Sequence, residues 1–300
     1  MTSQHNSERL TLAYQAHRPY LIDLAFRMLG DIGAAQDVVQ DAFTRLISAD
    51  FDRIEDERGW LIVVTSRLCL DRLRSATSRR ESSHDASEIE FIAPPVTADP
   101  ADRVTFDDRV GLALLVVLQR LTPAERVVFV LHDIFQLPFQ AVAETVGRAA
   151  PACRQLAVRA RAKIAAGQQD TVDAGVLLAE HRLVTEKFIA ACATGDLAGL
   201  LAVLAPDAWG EVDLGSGAAW TPGVTTGARD VAANLLRFWG KGASLVSLPV
   251  GGQPALLGFR GRTLSGVLRL QLRGQVIEAV QVIGDPRKLA LLRIQLATAG

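Results

Sequence analysis

No stretch of the 300 residues approaches the ~20 consecutive apolar positions that a bilayer-spanning helix needs. The opening Met1-Thr2-Ser3-Gln4-His5-Asn6-Ser7-Glu8 lacks the basic-then-apolar order of a secretory signal, so a cytoplasmic protein is expected. Cysteine is scarce: Cys69, Cys153 and Cys192 are odd in number, far apart and set among apolar neighbours. They read as reduced core thiols and give neither a disulfide frame nor a metal-ligand spacing. No metal and no cofactor is therefore expected. Net charge is also nearly absent, at -1 from 32 basic and 33 acidic side chains, which by itself argues against a nucleic-acid partner. Disorder is excluded by 49% apolar residues, and the length allows two or three domains.

The near-zero sum hides local polarity. Arg148, Arg154, Arg159, Arg161 and Lys163 occur in one stretch without an acid, and Arg67, Arg72, Arg74, Arg79 and Arg80 share another with Asp71 alone. Between Asp31 and Glu57, conversely, eight acids face two arginines. Two basic stripes and one acidic stripe suit a chain that holds both DNA and a protein partner.

Apolar spacing predicts helices over Tyr14 to Leu29, Ala34 to Ile47 and Trp60 to Arg80, the last changing from apolar to arginine-rich along its length. Residues 82 to 106 are acidic and punctuated by Pro94, Pro95 and Pro100, with no basic residue between Arg80 and Arg103; this reads as a linker. Helices resume from Phe106. Thr122-Pro123-Ala124-Glu125 has the form of a capping box with proline at the first helical position, opening a helix to about Ile134. Pro138 to Val146, the turn at Gly147 and Pro151 to Lys163 make a helix-turn-helix. Projected at ~100° per residue, Cys153, Leu156, Ala157, Ala160 and Ile164 share one side of its last helix, and the arginines fan over the rest. A solvated face ordinarily mixes signs; an all-basic one in this setting fits major-groove docking.

Beyond residue 170 the pattern changes. Helices over Ala174 to Thr194, Asp196 to Leu204 and Ala228 to Trp239 accompany strands over Trp209 to Leu214, Ser244 to Val250, Ala255 to Phe259, Thr263 to Leu272 and Gln275 to Ile283. A few helices on one curved antiparallel sheet predict an α+β cone with an interior pocket. The expected fold is thus multidomain, with two all-α domains, the second a helix-turn-helix, followed by that cone.

Particular text carries a resemblance. Ala25-Phe26-Arg27-Met28-Leu29-Gly30-Asp31 with Ala35-Gln36-Asp37-Val38-Val39-Gln40-Asp41-Ala42-Phe43 resembles the core-polymerase-binding helix of extracytoplasmic-function (ECF) sigma factors. Arg58-Gly59-Trp60-Leu61 and Thr65-Ser66-Arg67-Leu68-Cys69-Leu70-Asp71-Arg72-Leu73-Arg74 resemble their helix for the minus-ten element. Leu121-Thr122-Pro123-Ala124-Glu125-Arg126 and Cys153-Arg154-Gln155-Leu156-Ala157-Val158-Arg159-Ala160-Arg161 resemble their minus-thirty-five-binding domain. The remainder is similar to the SnoaL-like extension of one subgroup, its motifs answered by Asp213-Leu214-Gly215-Ser216-Gly217 and Asp285-Pro286-Arg287-Lys288-Leu289. Ser82 to Pro95 stands where many members carry an aromatic, proline-rich linker motif.

The resemblance implies an alternative sigma factor that binds bacterial core RNA polymerase and promoter DNA. It divides the chain into residues 8–81 (polymerase and minus-ten element), 82–106 (linker), 107–168 (minus-thirty-five element) and 172–300 (SnoaL-like regulatory domain). Asp37, Val38, Gln40 and Asp41 would bind polymerase, although Val38 and Phe43 fit an internal core equally well. Arg67, Arg72, Arg74, Arg79 and Arg80 would hold minus-ten phosphates beside a base pocket near the turn from Asp52 to Arg58, with Trp60 suited to core packing more than to stacking. Arg154 and Gln155 would reach base edges of the minus-thirty-five element, and Arg159 and Arg161 phosphates. Asp213, Asp285 and Lys288 are regulatory candidates.

Two further readings concern residues 172–300. Trp209, Trp220, Phe238, Trp239 and Phe259 could line a pocket for a small-molecule ligand that gates the DNA-binding domains, although core packing is favoured for most of them. A SnoaL-like isomerase or cyclase is disfavoured, because no predicted strand carries a histidine and Asp213, Glu211 and Glu278 are the strand carboxylates.

Overall fold

A computed structural model describes residues 2–49, 54–82, 118, 120–166, 174–215, 224–250, 253–290 and 292. Most of the expected linker lies outside the described residues, as do Trp220 and nearly all of the helix expected from Phe106. The first helices are α1 (Thr2–Leu29), α2 (Ile32–Ser48) and α3 (Glu57–Ser82). Gly30, at φ 77°, ends α1 in the left-handed conformation that glycine adopts without penalty, and the Asp31 side chain caps α2 at the Ala34 amide. α1 starts well before Tyr14, where the apolar period begins, because Arg9 reaches Glu57 at 2.8 Å and Ala13 is buried.

The second helical group is α4 (Pro123–Phe129), continued by a π-helical turn (Val130–Ile134), then α5 (Phe139–Val146) and α6 (Ala150–Ala166). The capping box forms as the sequence predicts: Glu125 accepts from the Thr122 amide at 3.0 Å while its own amide donates to the Thr122 hydroxyl at 3.4 Å. Gly147, at φ 69°, makes the turn between α5 and α6. Leu21, Phe26, Leu61 and Cys69 join Val127, Leu131, Val142 and Leu156 in one core, so the two helical groups are packed together.

The last region comprises α7 (Ala174–Thr194), α8 (Leu197–Leu201), β1 (Leu204–Asp213), β2 (Thr225–Thr226), α9 (Ala228–Trp239), β3 (Ala243–Val250), β4 (Gln253–Arg260), β5 (Thr263–Arg273) and β6 (Val276–Ile283). The strands form one sheet in the order β2-β1-β6-β5-β4-β3. Pairing is antiparallel except between β1 and β6, which run parallel, so the expected all-antiparallel sheet is corrected at that pair. The β1–β6 contact joins the first long strand of the sheet to its last through the whole intervening chain, a pairing that no hairpin signal could announce.

Both faces of this sheet are apolar. On one, Leu245, Leu256, Leu268, Leu270 and Val280 pack with Phe188, Val231, Leu235 and Trp239 from the region's own helices. On the other, Val246, Leu257, Phe259, Leu264 and Val267 join the core of the first helical group. Phe259 meets Phe26 of α1 with ring centroids 5.6 Å apart, and the fully buried Asp23 of α1 accepts from the Ser247 amide at 2.7 Å and from Arg27 at 3.3 Å. Burial raises the Asp23 carboxyl above its usual range against the opposing pull of Arg27. Phe259 therefore faces away from the interior pocket and lies in the core, the alternative favoured for most of these aromatics.

A polar junction ties the three regions at a second point. Arg58 of α3 lies 4.5 Å from the Tyr20 ring and 3.9 Å from Glu186 of α7, Tyr20 meets Phe135 at 5.1 Å, and Arg182 of α7 donates to the Phe135 carbonyl at 2.6 Å. Burial, aided by the Glu186 charge, pushes the Tyr20 hydroxyl up to about 12. The sheet's seat on α1 is open to direct measurement. In a double-mutant cycle of Phe26→Leu and Phe259→Leu, urea denaturation should give a coupling of ~0.5–1.5 kcal/mol, as for other buried aromatic pairs; additive effects would show that the sheet does not rest on α1.

Candidate nucleic-acid interface

α6 is amphipathic in the way its projection predicts. Cys153, Leu156, Ala157 and Ala160 are buried and Ile164 half-buried, whereas Arg154, Gln155, Arg159, Arg161 and Lys163 are exposed. The exposed face divides into two halves. In the first, the Arg154 guanidinium lies 5.6 Å over the Phe139 ring, which stacks on His132 at 3.7 Å; His132 Nδ1 is 2.8 Å from the Leu137 carbonyl. Arg154 thus projects from an aromatic platform that restricts its rotamers without neutralising its charge. Gln155 and Val158 flank it, and Val158 is 62% exposed.

In the second half the cations have acidic neighbours. Arg161 Nε donates to Asp133 at 2.6 Å, Lys163 Nζ donates to Glu125 at 2.7 Å, and Arg159 Nε stands 3.7 Å from the other Glu125 oxygen. Burial acts to raise the Glu125 carboxyl, but the Lys163 bond and the Thr122 cap outweigh it and hold the group below its usual range. The residues that sequence assigns to base edges therefore stand on the half without these ion pairs, and those it assigns to phosphates stand on the tethered half.

The arginines of α3 are placed differently. Arg67 donates to the Glu144 carbonyl at 2.7 Å and the Thr145 carbonyl at 3.4 Å, at the C-terminal end of α5, where the helix dipole favours a cation. Arg72 donates to the Ala34 carbonyl at 3.0 Å and lies 3.8 Å from Asp37, and Arg74 is 3.9 Å from Asp71. The side chains of Arg79 and Arg80 lie outside the described residues, as does part of the turn from Asp52. Trp60 is half-buried against the core.

On α2, Asp37 is half-exposed and Gln40 and Asp41 are exposed, but Val38 is 1% exposed. Val38 is thereby corrected: the helical period turns it into the core with Val39, Ala42 and Phe43, and it offers no surface. Asp37 is also held by a group that lies more than two hundred positions away in the chain. Arg262, in the turn between β4 and β5, reaches it at 3.3 Å, while Gln36 donates to the Gly261 carbonyl at 3.3 Å and to the Ser244 hydroxyl at 3.4 Å. A Cβ at Gly33 would stand 2.9 Å from Arg262 Nε, so glycine there makes room for the arginine.

The three candidates of the C-terminal region converge. Lys288 donates to Asp213 at 2.8 Å, Asp213 accepts from the Gly215 amide at 2.9 Å, and the buried Asp285 accepts from the Arg287 amide at 2.8 Å while packing against Gly215. The Lys288 hydrogen bond, against partial burial, holds the Asp213 carboxyl below its usual range. Sequence missed Val158, whose exposure has no charge signature, and Arg262, whose partner only the tertiary fold supplies. Among the described residues no group of His, Cys, Asp and Glu could hold a metal ion, and no helix is long and apolar enough to cross a membrane.

Residues 13–79 match the family Sigma-70 region 2, and residues 111–164 match Sigma-70, region 4. The chain is 52% identical over 296 residues to the probable ECF RNA polymerase sigma factor SigI of Mycobacterium tuberculosis, covering 98% of this chain and 99% of that one. It is 41% identical over 195 residues to the ECF RNA polymerase sigma factor SigJ of the same species, covering 65% of this chain and 62% of the relative. The crystal structure of M. tuberculosis SigJ aligns over 92% of this chain and 97% of that one at 29% identity, with a TM-score of 0.37.

Two outcomes test the geometry. Arg154→Ala should shift preference at a single base pair by ~1–3 kcal/mol in competition binding to duplexes, whereas equal weakening on every duplex would make Arg154 a phosphate contact. Asp213, its carboxyl depressed in the fold, contributes stability that is present above the ordinary aspartate value of ~4 and is lost as pH falls through the lower folded value. Thermal denaturation followed down through that range should show an acid-induced loss that Asp213→Asn makes smaller, the share of the depressed Glu125 carboxyl remaining.

Proposed function

The chain belongs to the extracytoplasmic-function sigma factors of RNA polymerase and directs transcription initiation, and from that premise we propose which of its surfaces act and how they are restrained. Residues 8–81 form the unit for core polymerase and the minus-ten element, residues 107–168 the unit for the minus-thirty-five element, and residues 172–300 a SnoaL-like regulatory domain, with 82–106 as the strap between the first two. The work is done in the cytoplasm, on polymerase and duplex DNA.

On the minus-thirty-five side, the Arg154, Gln155 and Val158 face supports reading of base edges, with Val158 suited to a thymine methyl. Arg159 and Arg161 add phosphate contacts that exchange their Asp133 and Glu125 partners for DNA. On the minus-ten side, Arg67, Arg72, Arg74, Arg79 and Arg80 serve as phosphate ligands once the two helical units separate. Separation is required because Arg67 caps α5 in the closed arrangement. A base of the opened strand is then held beside the Asp52-to-Arg58 turn, at an unstacking cost of a few kcal/mol.

Polymerase meets α2 through Asp37, Gln40 and Asp41. One observation supports regulation by the attached domain: Arg262 sits on Asp37, so the same carboxylate cannot serve the polymerase and the β4–β5 turn together. The closed chain is accordingly the restrained form. No catalytic step is invoked, and the pocket among the strands is bordered by one acidic residue, Glu211, whose side chain strand alternation turns away from it, and by no histidine, among the lining residues described.

Half-exposed ion pairs contribute ~0–1 kcal/mol, so Arg262→Ala should raise affinity for core polymerase by no more than about fivefold. Arg262→Glu, which sets two like charges together, should raise it further. The measurement is core-polymerase binding and promoter-specific transcription with the full chain; a fall in both for Arg262→Glu would make the turn an activating contact.

A further inference from the structure

The cone contains a half-open cavity of about 120 Å³, close to the ~150 Å³ of an apolar cavity that accepts one benzene ring. Its walls are Val212 and Leu214 of β1 and its continuation, Val231, Leu235, Phe238 and Trp239 of α9, and Val280 and Val282 of β6. Trp239 is fixed by a paired absence of side chains. Gly258 and Gly266 are register partners on β4 and β5, and a Cβ on either would stand 2.1 Å and 2.7 Å, respectively, from the indole. The cavity thus keeps a flat aromatic wall instead of collapsing around the ring.

Polar groups cluster at the rim. Asn234 donates to Thr225 at 3.1 Å, Ser265 lines the wall, and Arg260 closes the mouth while donating to the Phe238 carbonyl at 2.6 Å. A guanidinium carries five donors in a planar fork that fits a carboxylate at two points. Glu211 also borders the cavity, but strand alternation sends its side chain to the face opposite Gly210 and Val212, the face on which Asp213 meets Lys288. Among the described lining residues the interior is therefore apolar and aromatic, with the Arg260 cation at its entrance.

Arg260 is joined through Gly261 to Arg262, and this turn is the segment that grips Gln36 and Asp37 of α2. We infer that the cavity binds a small aromatic monocarboxylate, its ring against Trp239 and its carboxylate on Arg260, and that this occupancy loosens the β4–β5 turn from α2. The binding half of this inference stands alone; the loosening half rests on the proposed restraint of α2 by the C-terminal domain.

The test uses the full-length chain and 3-phenylpropionate as the probe, with 3-phenyl-1-propanol as its uncharged counterpart. Calorimetry should show saturable binding of the acid, weakened at least tenfold in Arg260→Gln, while the alcohol binds wild type and variant alike. Val282→Phe, which fills the cavity, should abolish binding of both. Absence of saturable acid binding at millimolar concentrations, or equal loss of acid and alcohol in Arg260→Gln, overturns the site. The probe should also raise promoter-specific transcription with core polymerase in wild type and not in Arg260→Gln. Binding without that rise overturns the coupling and leaves the site standing, and the transcription given by the unliganded chain tests the sigma-factor reading separately.

Discussion

The arrangement depends on a sheet that is apolar on both faces, one packed by α7 to α9 of its own region and the other by α1 together with Leu289 and Leu292. An exposed outer face carrying Val246, Leu257, Phe259, Leu264 and Val267 would cost several kcal/mol at ~25 cal/mol per Å² of apolar surface left in water. Helix α1 covers that face, and Phe26 and Asp23 supply a ring contact and a buried acceptor where it does so. The C-terminal region is therefore held to the first helical group mainly by shared apolar burial, and the ion pairs at the periphery orient that contact without supplying most of its strength.

From this attachment follow the positions of the charged groups. With β3 seated on α1, the β4–β5 turn reaches the start of α2, and Gly33 leaves room for Arg262 to lie there and meet Asp37. With α3 packed on α5, Arg67 reaches the carbonyl end of α5. Basic side chains of the first two units thus satisfy backbone carbonyls and acids of the same chain. A near-zero net charge is the sum of such internal matches, which is why total charge misrepresents a chain whose basic and acidic stripes are locally segregated.

How far sequence reached depends on the range of the interaction. Local devices were legible in full: the glycine stop at Gly30, the Thr122–Glu125 box, the Gly147 turn and the buried stripe of Cys153, Leu156, Ala157 and Ala160 are each set by neighbours within a turn or two. The α9 helix and the β3-to-β6 strands were also legible, since alternation and paired glycines are short-range signals. Three features were not. The parallel β1–β6 pairing joins the two ends of the domain. The side of Phe259 depends on a bulge between Gly258 and Phe259, which re-aims a strand without a compositional mark. Val38 could be assigned to core or surface only once α1 and α3 were in place, because apolar side chains also occur on docking surfaces.

Arg262 shows why a regulatory contact is harder to read than a recognition helix. A recognition helix must meet a regular external partner, so its charge is periodic and of one sign. A restraint of the kind proposed must be weak enough for polymerase to displace it, and a single exposed arginine on the half-exposed Asp37 meets that requirement with no pattern at all. Strength sits instead in the apolar cover of α1, which need not be broken for α2 to be reached if the β4–β5 turn alone moves. Such a division, a strong hinge of buried side chains beside a weak polar latch, is what the proposed regulation requires: the C-terminal domain stays attached while its grip on α2 changes, with the residues from Arg260 to Arg262 as the proposed point of control.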